Sequence, residues 1–402
     1  MRAAGRSWGL VLTALALVCW ALALGERERH AFPGGTTAIL PSPMTVAEAK
    51  SIQAAEERTQ QPTAVVPWCQ QEGIWIESGE LDRSALVSVL TLGGDSRLVL
   101  PVAAVLPQED LTGCLVDRRT AQALFGDDAP IGGTITLENR VYQVRGVFDA
   151  PVQVLVRQGD GEWTGGFDRL SLSLPAGKEA EAYGESFALR HGLSFSVSFS
   201  TGIWLGLAGI GTRLLPFMLL WFLLRESMGR RKGFRTYPVL SALVLLGIVA
   251  AAVLFWMLMG LGFTVPPSMI PARWSDFEFW GERLGEIRRW LWELLLMKKN
   301  VPEALGLFRA LRSWGWSLGA LALWLQARKL LPLDRLEDLL FLLLAGGVGA
   351  FAGELLAGGV EIAALWLLPG CWGGWLLMLR WTKKVLHHGD NDQSDQWLDR
   401  CL

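Results

Sequence analysis

The sequence lacks the short motifs that mark several common enzyme classes. It has no GxxxxGK[ST] loop to hold nucleotide phosphates, no HExxH zinc motif and no GxSxG nucleophile turn. Histidine is scarce, with four residues in 402, and the five cysteines include no CxxC pair or other metal-ligand spacing. We therefore expect no catalytic residue, no cofactor and no bound metal in this chain, so any ATP-driven role needs a separate ATPase.

Charge is also sparse. Charged residues make up 19% of the chain, against about 25% in soluble domains. The net charge of −2 provides no basic field for nucleic acid. Hydrophobic residues make up 51%, and they concentrate in 201–263 and 314–380, whereas 26–200 has the composition of a soluble domain. This uneven distribution predicts a soluble module set between membrane helices.

The first apolar run, Trp8–Leu24, follows Arg2 and Arg6. By the positive-inside rule these arginines keep the N-terminus in the cytoplasm and send residue 26 onward outside. Two interpretations of the run stay open. It is either a retained membrane anchor or a signal peptide, because Ala21-Leu22-Ala23 resembles a cleavage site.

The later apolar runs predict about six membrane helices in total. The clearer runs are Trp204–Leu224, Pro238–Phe263, Leu339–Gly353 and Val360–Leu379. A weaker run, Trp314–Leu325, is too short to cross unless it includes Ala310–Ser313 or the basic side chains after it snorkel. Six crossings would leave both termini in the cytoplasm.

These runs divide the chain into an anchor, an outer module, two helices around a basic loop, an outer amphipathic segment, three further helices and a tail. The predicted boundaries are 1–25, 26–200, 201–263, 264–313, 314–384 and 385–402. Within the amphipathic segment, Glu282–Met297 has apolar residues at helical spacing, which predicts a helix along the membrane interface.

The outer module has the local signals of a mixed α/β fold. Thr45 and Glu48 form a capping box before a polar helix that ends near Arg58. Apolar, β-branched residues predict strands at Leu86–Leu92, Leu98–Leu106 and Leu170–Leu174. Asp117 can cap a short helix that Gly126 ends. Thr134–Leu137 and Val141–Phe148 then alternate around a turn, which predicts a hairpin.

One stretch of this module resembles a known family. Residues 113–126 contain the short helix that Asp117 caps and end in Leu-Phe-Gly. Ala129-Pro130-Ile131-Gly132-Gly133 forms a tight turn, and Val141–Phe148 closes on Val-Arg-Gly-Val-Phe. This order is similar to the periplasmic core domain of MacB/FtsX-type ABC transporter permeases. The arrangement of one helix, an outer domain and then further helices also resembles that family.

The resemblance implies a function and partners. It implies a permease-like subunit in a bacterial cytoplasmic membrane, with 26–200 outside the cytoplasm, that works with a separate P-loop ATPase and a second permease copy or paralogue. In such systems ATP hydrolysis moves the membrane helices, and these move the outer domain to extrude or release a substrate. The loop after the second helix is where such permeases contact their ATPase. Here that loop carries Arg225, Glu226, Arg230, Arg231, Lys232 and Arg235.

Two features depart from the family pattern. The family commonly has four membrane helices, and its loop usually reads Glu-Arg-x-x-Glu-Ile-Gly, which Leu224–Lys232 matches only loosely. An alternative function therefore stays open, in which the chain is a non-transporting membrane scaffold whose outer domain binds cell-envelope proteins or peptides.

Other residues carry narrower hypotheses. Arg213 lies in the second membrane run, where a charge is costly, and Glu354 or Glu361 could pair with it. Cys69 and Cys114 both lie in the outer module and could form a disulfide there. The spacings Gly202-x-x-x-Gly206, Gly349-x-x-x-Gly353 and Gly370-x-x-x-Gly374 permit close helix contact within the bundle or at a dimer face.

Overall fold

The computed structural model describes residues 2–28, 35–100, 102, 104–175, 178–228, 249, 277–296, 299–331, 336–358, 365–366, 369–370 and 372–374. The chain divides into two units. The strand-rich unit comprises Glu26–Ile210 and Lys299–Ser313, and the helical unit comprises Met1–Gly25, Gly211–Lys298 and Trp314–Leu402. The strand-rich unit therefore includes the predicted outer module and a later segment, 299–313, that the sequence analysis assigned elsewhere.

The described elements alternate strands and helices early in the chain and are helical from residue 202 onward. The strands are β1 (Gly35–Met44), β2 (Val65–Ser78), β3 (Ser84–Leu92), β4 (Gly113–Asp117), β5 (Thr134–Leu137), β6 (Arg140–Phe148), β7 (Val154–Gln158), β8 (Phe167–Ser173) and β9 (Val197–Ser200). The helices are α1 (Arg2–Glu28), α2 (Val46–Glu57), α3 (Arg118–Phe125), α4 (Ala180–His191), α5 (Gly202–Thr212), α6 (Leu214–Met228), α7 (Phe277–Leu296), α8 (Val301–Leu330) and α9 (Leu336–Leu356).

Six strands of the strand-rich unit close into a ring. Their order is β3-β7-β4-β6-β5-β2, and β2 pairs back with β3. β3 with β7 and β4 with β6 run parallel, while the remaining pairs in the ring are antiparallel. Alternate residues of these strands form one buried cluster, because successive strand residues point to opposite faces. β8, β1 and β9 extend the sheet outward from β2.

Local capping and turn chemistry confirms several predicted elements. Thr45 and Glu48 form both halves of the capping box at the start of α2. The Asp117 carboxylate accepts from the backbone N–H groups of Arg119 and Thr120, and α3 ends at Gly126, whose φ of 72° is left-handed. β5 and β6 form the predicted antiparallel hairpin.

The strand predicted at Leu98–Leu106 is wrong. A short 3₁₀ helix covers Ser96–Leu98, and no strand follows in the described residues up to Leu106. Leu100 N–H bonds the Ser96 carbonyl, and Leu106 N–H bonds the Ser96 hydroxyl at 2.8 Å. The apolar side chains of this stretch are nevertheless buried, because they pack in a core cluster that includes Leu90, Phe148 and Leu305.

The structure does not form the disulfide predicted between Cys69 and Cys114, and both are free, buried thiols. Strand register explains why. Cys69 lies opposite Thr91, Thr91 opposite Arg157, and Arg157 opposite Cys114. Two strands, β3 and β7, therefore lie between the strands that carry the two cysteines.

In the helical unit, α1 and α9 pack closely. A Cβ added at Gly349 would lie 2.6 Å from the Ala14 carbonyl oxygen, and one at Gly353 would lie 2.6 Å from the Ala21 Cβ. Gly349-x-x-x-Gly353 therefore acts as a close-contact motif inside the bundle. Residue numbers rise together along both helices, so α1 and α9 run parallel.

α8 also lies beside α1 in this unit, in the opposite direction. A Cβ at Gly9, early in α1, would lie 2.7 Å from Leu331, just after the end of α8. At the other end, Trp314 contacts Gly211, and Trp20 donates from Nε1 to the carbonyl of Thr212 at 2.8 Å. The Thr212 carbonyl cannot accept an intrahelical bond from Pro216, four residues later, because proline has no backbone N–H.

Three stretches in the described part of the chain are helical, long and apolar enough to cross a membrane: Arg6–Arg27, Gly202–Phe222 and Leu336–Leu356. They match three of the predicted runs. Pro238–Phe263 lies outside the described residues except for Val249, and most of Val360–Leu379 also lies outside. α7 covers most of the helix predicted at Glu282–Met297, and α8 continues without a break through the weak run Trp314–Leu325.

Candidate functional site

The start of α8 is embedded in the strand-rich unit. Val301 and Leu305 are buried in the cluster that also contains Trp68, Phe148 and Val154. This packing joins parts of the chain that are distant in sequence, because α8 begins almost a hundred residues after Ile210. The contact therefore fixes one end of a long helix to the sheet.

A buried ion pair reinforces this attachment. Arg169 on β8 lies 3.3 Å from Glu303 on α8 (Nη1 to Oε1), and their side chains are 12% and 3% exposed. The Arg169 guanidinium also lies over the ring of buried Trp68, 5.2 Å from its centroid. Arg169 and Trp68 are register partners on β8 and β2. Both strands thus contribute to holding the helix.

The cap of α8 belongs to the same arrangement. Glu303 Oε2 accepts from the Asn300 backbone N–H at 2.7 Å, and Gln70 Oε1 accepts from the Val301 N–H at 2.7 Å. With its amide oxygen turned toward Arg169, Asn300 also accepts from Nε and Nη2 at 2.7 Å. The backbone donors at a helix start have no intrahelical partner, so these acceptors satisfy two of them. We call Gln70, Trp68, Arg169, Asn300 and Glu303 the helix anchor.

Burial makes the charge on Glu303 costly. It raises the pKa of this carboxyl, and the charge of Arg169 and the Asn300 N–H act against that rise. A buried carboxylate without a partner would be strongly unfavourable. In the helix anchor, the charge of Arg169 therefore stabilises the ionised form of Glu303.

The ends of three helices also meet within the strand-rich unit. Arg312 on α8 bonds Glu26 on α1, with Nη2 and Oε1 2.8 Å apart. Trp204 on α5 packs on Gly306 of α8, where a Cβ would lie 2.6 Å from the indole Cγ. Glycine at 306 is thus required for this close approach, and α1, α5 and α8 are joined at this level of the unit.

The residues predicted for ATPase contact are only partly described. Arg225 is exposed near the end of α6, and Glu226 lies in the same helix. Arg230, Arg231, Lys232 and Arg235 lie outside the described residues.

The predicted intramembrane pairing stays a prediction. Arg213 lies at the break between α5 and α6, while Glu354 accepts from Trp366 Nε1 at 2.8 Å. Glu361 lies outside the described residues.

The helix anchor was not predicted from the sequence, although one signal for it was present. Asn300 and Glu303 have the spacing of an N-cap residue and its third helical residue, and Pro302 suits the first turn of a helix. Arg169 carries no comparable signal, because its partner is distant in the sequence. In the part of the chain that the structure describes, no group of three His, Cys, Asp or Glu side chains could hold a metal ion.

Comparison with known proteins gave structural similarity alone. No family model and no curated protein matches this chain. Among solved structures, it is similar to the periplasmic region of MacB from Actinobacillus actinomycetemcomitans, with 14% identity, a TM-score of 0.33 and coverage of 43% of this chain and 90% of that chain. It is also similar to the extracellular domain of the noncanonic ABC-type transporter YknZ from Gram-positive bacteria, with 11% identity, a TM-score of 0.31 and coverage of 42% and 98%.

Proposed function

We propose that this chain is the permease-like membrane subunit of a MacB/FtsX-type ABC transporter. In this proposal it couples a separate P-loop ATPase to the strand-rich unit, which acts outside the cytoplasm on a substrate that is extruded or released. The chain itself supplies no catalytic group. A second permease copy, or a paralogue, completes the membrane part, and the bilayer surrounds the apolar helices.

The observation that carries the proposal is the continuity of α8. It has 30 residues and is therefore about 45 Å long. Its residues up to Ser313 belong to the strand-rich unit and those from Trp314 to the helical unit. Because an unbroken helix is stiff along its axis, a shift of its later turns moves the helix anchor. This is a direct route for mechanical transmission.

The proposal includes a membrane topology. With the N-terminus inside, α1 crosses outward, and the parallel packing of α9 on α1 means that α9 crosses outward as well. An odd number of crossings must then separate them. Trp204–Leu224, Pro238–Phe263 and α8 supply three. The antiparallel course of α8 beside α1 supports its inclusion, so the six-helix arrangement keeps both termini in the cytoplasm.

Copurification tests the coupling. The full chain, expressed at native level and solubilised in mild detergent, should retain an ATPase with a P-loop. The triple variant R230A/R231A/K232A should lose it. The matched variant R283A/R288A/R289A removes three arginines from α7 and should retain it.

If no P-loop ATPase copurifies with the unmodified chain, the proposal is overturned. The departure of Leu224–Lys232 from the family loop favours the scaffold function as the second candidate. In that case no ATPase is retained, and R230A/R231A/K232A holds the same cell-envelope proteins as the unmodified chain. The two functions therefore predict opposite results for the unmodified chain, which retains an ATPase in the first case and none in the second.

A further inference from the structure

Two helices change from apolar to charged residues at the same level of the strand-rich unit. The candidate membrane span of α1 ends at Arg27. In α8, a stretch without acidic or basic residues begins at Ser313, directly after Arg312. Arg312 bonds Glu26, which precedes Arg27. Such a change marks the depth at which a helix leaves hydrocarbon, so this part of the unit lies at headgroup depth.

Arginines gather at this level. Arg309 follows Val301 and Leu305 on one face of α8, and Arg312 lies one turn beyond it. The pKa of Arg309 falls to about 10 because the residue is buried, and the charges of Glu26, Arg312 and Asp149 also act on it. Arg309 therefore remains charged at neutral pH. Its position near Asp149 connects α8 to the loop after β6.

Two arginines at the start of α3 also contact this loop. Arg118 bonds Asp149, with Nε and Oδ1 2.8 Å apart, and Arg119 donates to the Pro151 carbonyl at 3.2 Å. Arg118 is 52% exposed, so its guanidinium can reach solvent. Together with Arg309 and Arg312, these residues form what we call the arginine cluster.

The cluster is positive in an otherwise acidic unit. Its four guanidinium groups lie among three carboxylates, those of Glu26, Asp128 and Asp149. In the strand-rich unit as a whole, Asp and Glu outnumber Lys and Arg. The positive charge is thus concentrated where α1 and α8 change from apolar to charged residues. A negatively charged ligand at that position would complement it.

We propose that the arginine cluster binds the phosphodiester headgroups of anionic phospholipids in the leaflet next to the strand-rich unit. Guanidinium groups match phosphate oxygens with paired N–H donors and are weakly hydrated, which suits a partly buried site. The bound headgroups fix the depth of α1 and α8 at one position. This binding is independent of any ATPase, so it stands or falls apart from the transport function.

Native mass spectrometry of the full chain in detergent tests this binding, with phosphatidylglycerol or phosphatidylcholine added in series. The unmodified chain should bind phosphatidylglycerol more tightly. The variant R309Q/R312Q should lose about fivefold for each arginine removed, in line with the interaction of one basic residue with an anionic surface. The matched variant R58Q/R83Q removes two exposed arginines elsewhere in the unit and should bind like the unmodified chain.

Because R309Q/R312Q leaves Glu26 without Arg312, a second variant guards against misfolding. R118Q/R119Q changes the more exposed side of the cluster and should also weaken phosphatidylglycerol binding. Equal binding of both lipids, or unchanged binding by R118Q/R119Q, would overturn the proposal. Displacement of the lipid by an equal concentration of inorganic phosphate would assign the site to a small anion and overturn it as well.

Discussion

Arg169 and Glu303 form a buried ion pair across 134 residues of sequence, 3.3 Å apart. The pair joins strand β8 to the first turn of helix α8. Neither side chain has solvent to replace its partner. The two residues therefore make the attachment of α8 conditional on both charges being present.

Arg169→Ala should destabilise the protein by about 3–5 kcal/mol, because it leaves the Glu303 carboxylate buried without its cation. R169Q/E303Q removes both charges and should cost clearly less. Thermal unfolding of the full chain in detergent measures both effects. Arg97→Ala is the control, since Arg97 pairs with Asp95 on the surface, where ion pairs contribute little to stability. Equal losses for Arg97→Ala and Arg169→Ala would contradict the structural role of the pair.

Gly349→Ala should weaken the packing of α1 on α9. The added Cβ would lie 2.6 Å from the Ala14 carbonyl oxygen, and backbone cannot move aside as a side chain can. We expect a loss of about 1–3 kcal/mol, typical of overpacking. Gly347→Ala, two residues earlier, meets only the Trp366 ring at 3.7 Å and should be tolerated. Comparable melting temperatures for the two variants would show that the helices are not in close contact.

Cysteine labelling tests the crossing of α8. In a chain with Cys19, Cys371 and Cys401 replaced by serine, Gly161→Cys should react with an impermeant maleimide in intact cells. Asp334→Cys, which follows α8, should react only after permeabilisation. Cys69 and Cys114 should stay silent, because burial raises the pKa of both thiols to about 12. Labelling of Asp334→Cys from outside would mean that the proposed topology is wrong.

Glu56 predicts a dependence of stability on pH. It is buried between α2 and α4, where His191 lies 2.6 Å and Arg190 3.4 Å from Oε1. Burial alone would raise the pKa of Glu56, but the hydrogen bonds of His191 and Thr63 and the charge of Arg190 together hold it below 4.5. A carboxyl with a lowered folded-state pKa adds stability above its unfolded pKa, and this is lost as pH falls through the folded value.

Glu56→Gln should therefore cost about 2 kcal/mol at neutral pH, the scale of hydrogen bonds to a charged group. The difference from the unmodified chain should shrink as the pH falls below 4.5. Melting temperatures of both proteins across the acid range provide the measurement. Glu57→Gln, an exposed neighbour, is the control and should show no such convergence. A difference that stays constant with pH would exclude the ionised form of Glu56 as its source.

Local chemistry made part of the fold predictable. The capping box of Thr45 and Glu48, the Asp117 cap and the left-handed Gly126 each act within a few residues, so their signals can be read directly. Ring closure was not predictable in this way. The parallel pairing of β3 with β7 joins residues more than sixty positions apart, such as Ser88 and Val154, and depends on the packing of the whole ring.

The prediction of a strand at Leu98–Leu106 was wrong for a similar reason, because the local sequence does not show which backbone groups will pair. An apolar run reports burial, and burial is what these residues have, but it does not report backbone pairing. The Asn300–Glu303 cap could have indicated where α8 starts. Nothing near it in sequence indicates Arg169 on β8, so the anchor could not be found without the structure.

Closure of the ring limits how another polypeptide could join this sheet. Strand residues that are bonded on both sides have no main-chain groups left to offer, and β9, at the end of the strand order, pairs only with β1. β9 is four residues long and leads within two residues into α5. A partner that recognised extended backbone would find very few donors and acceptors on β9, so strand addition at this end of the sheet is disfavoured.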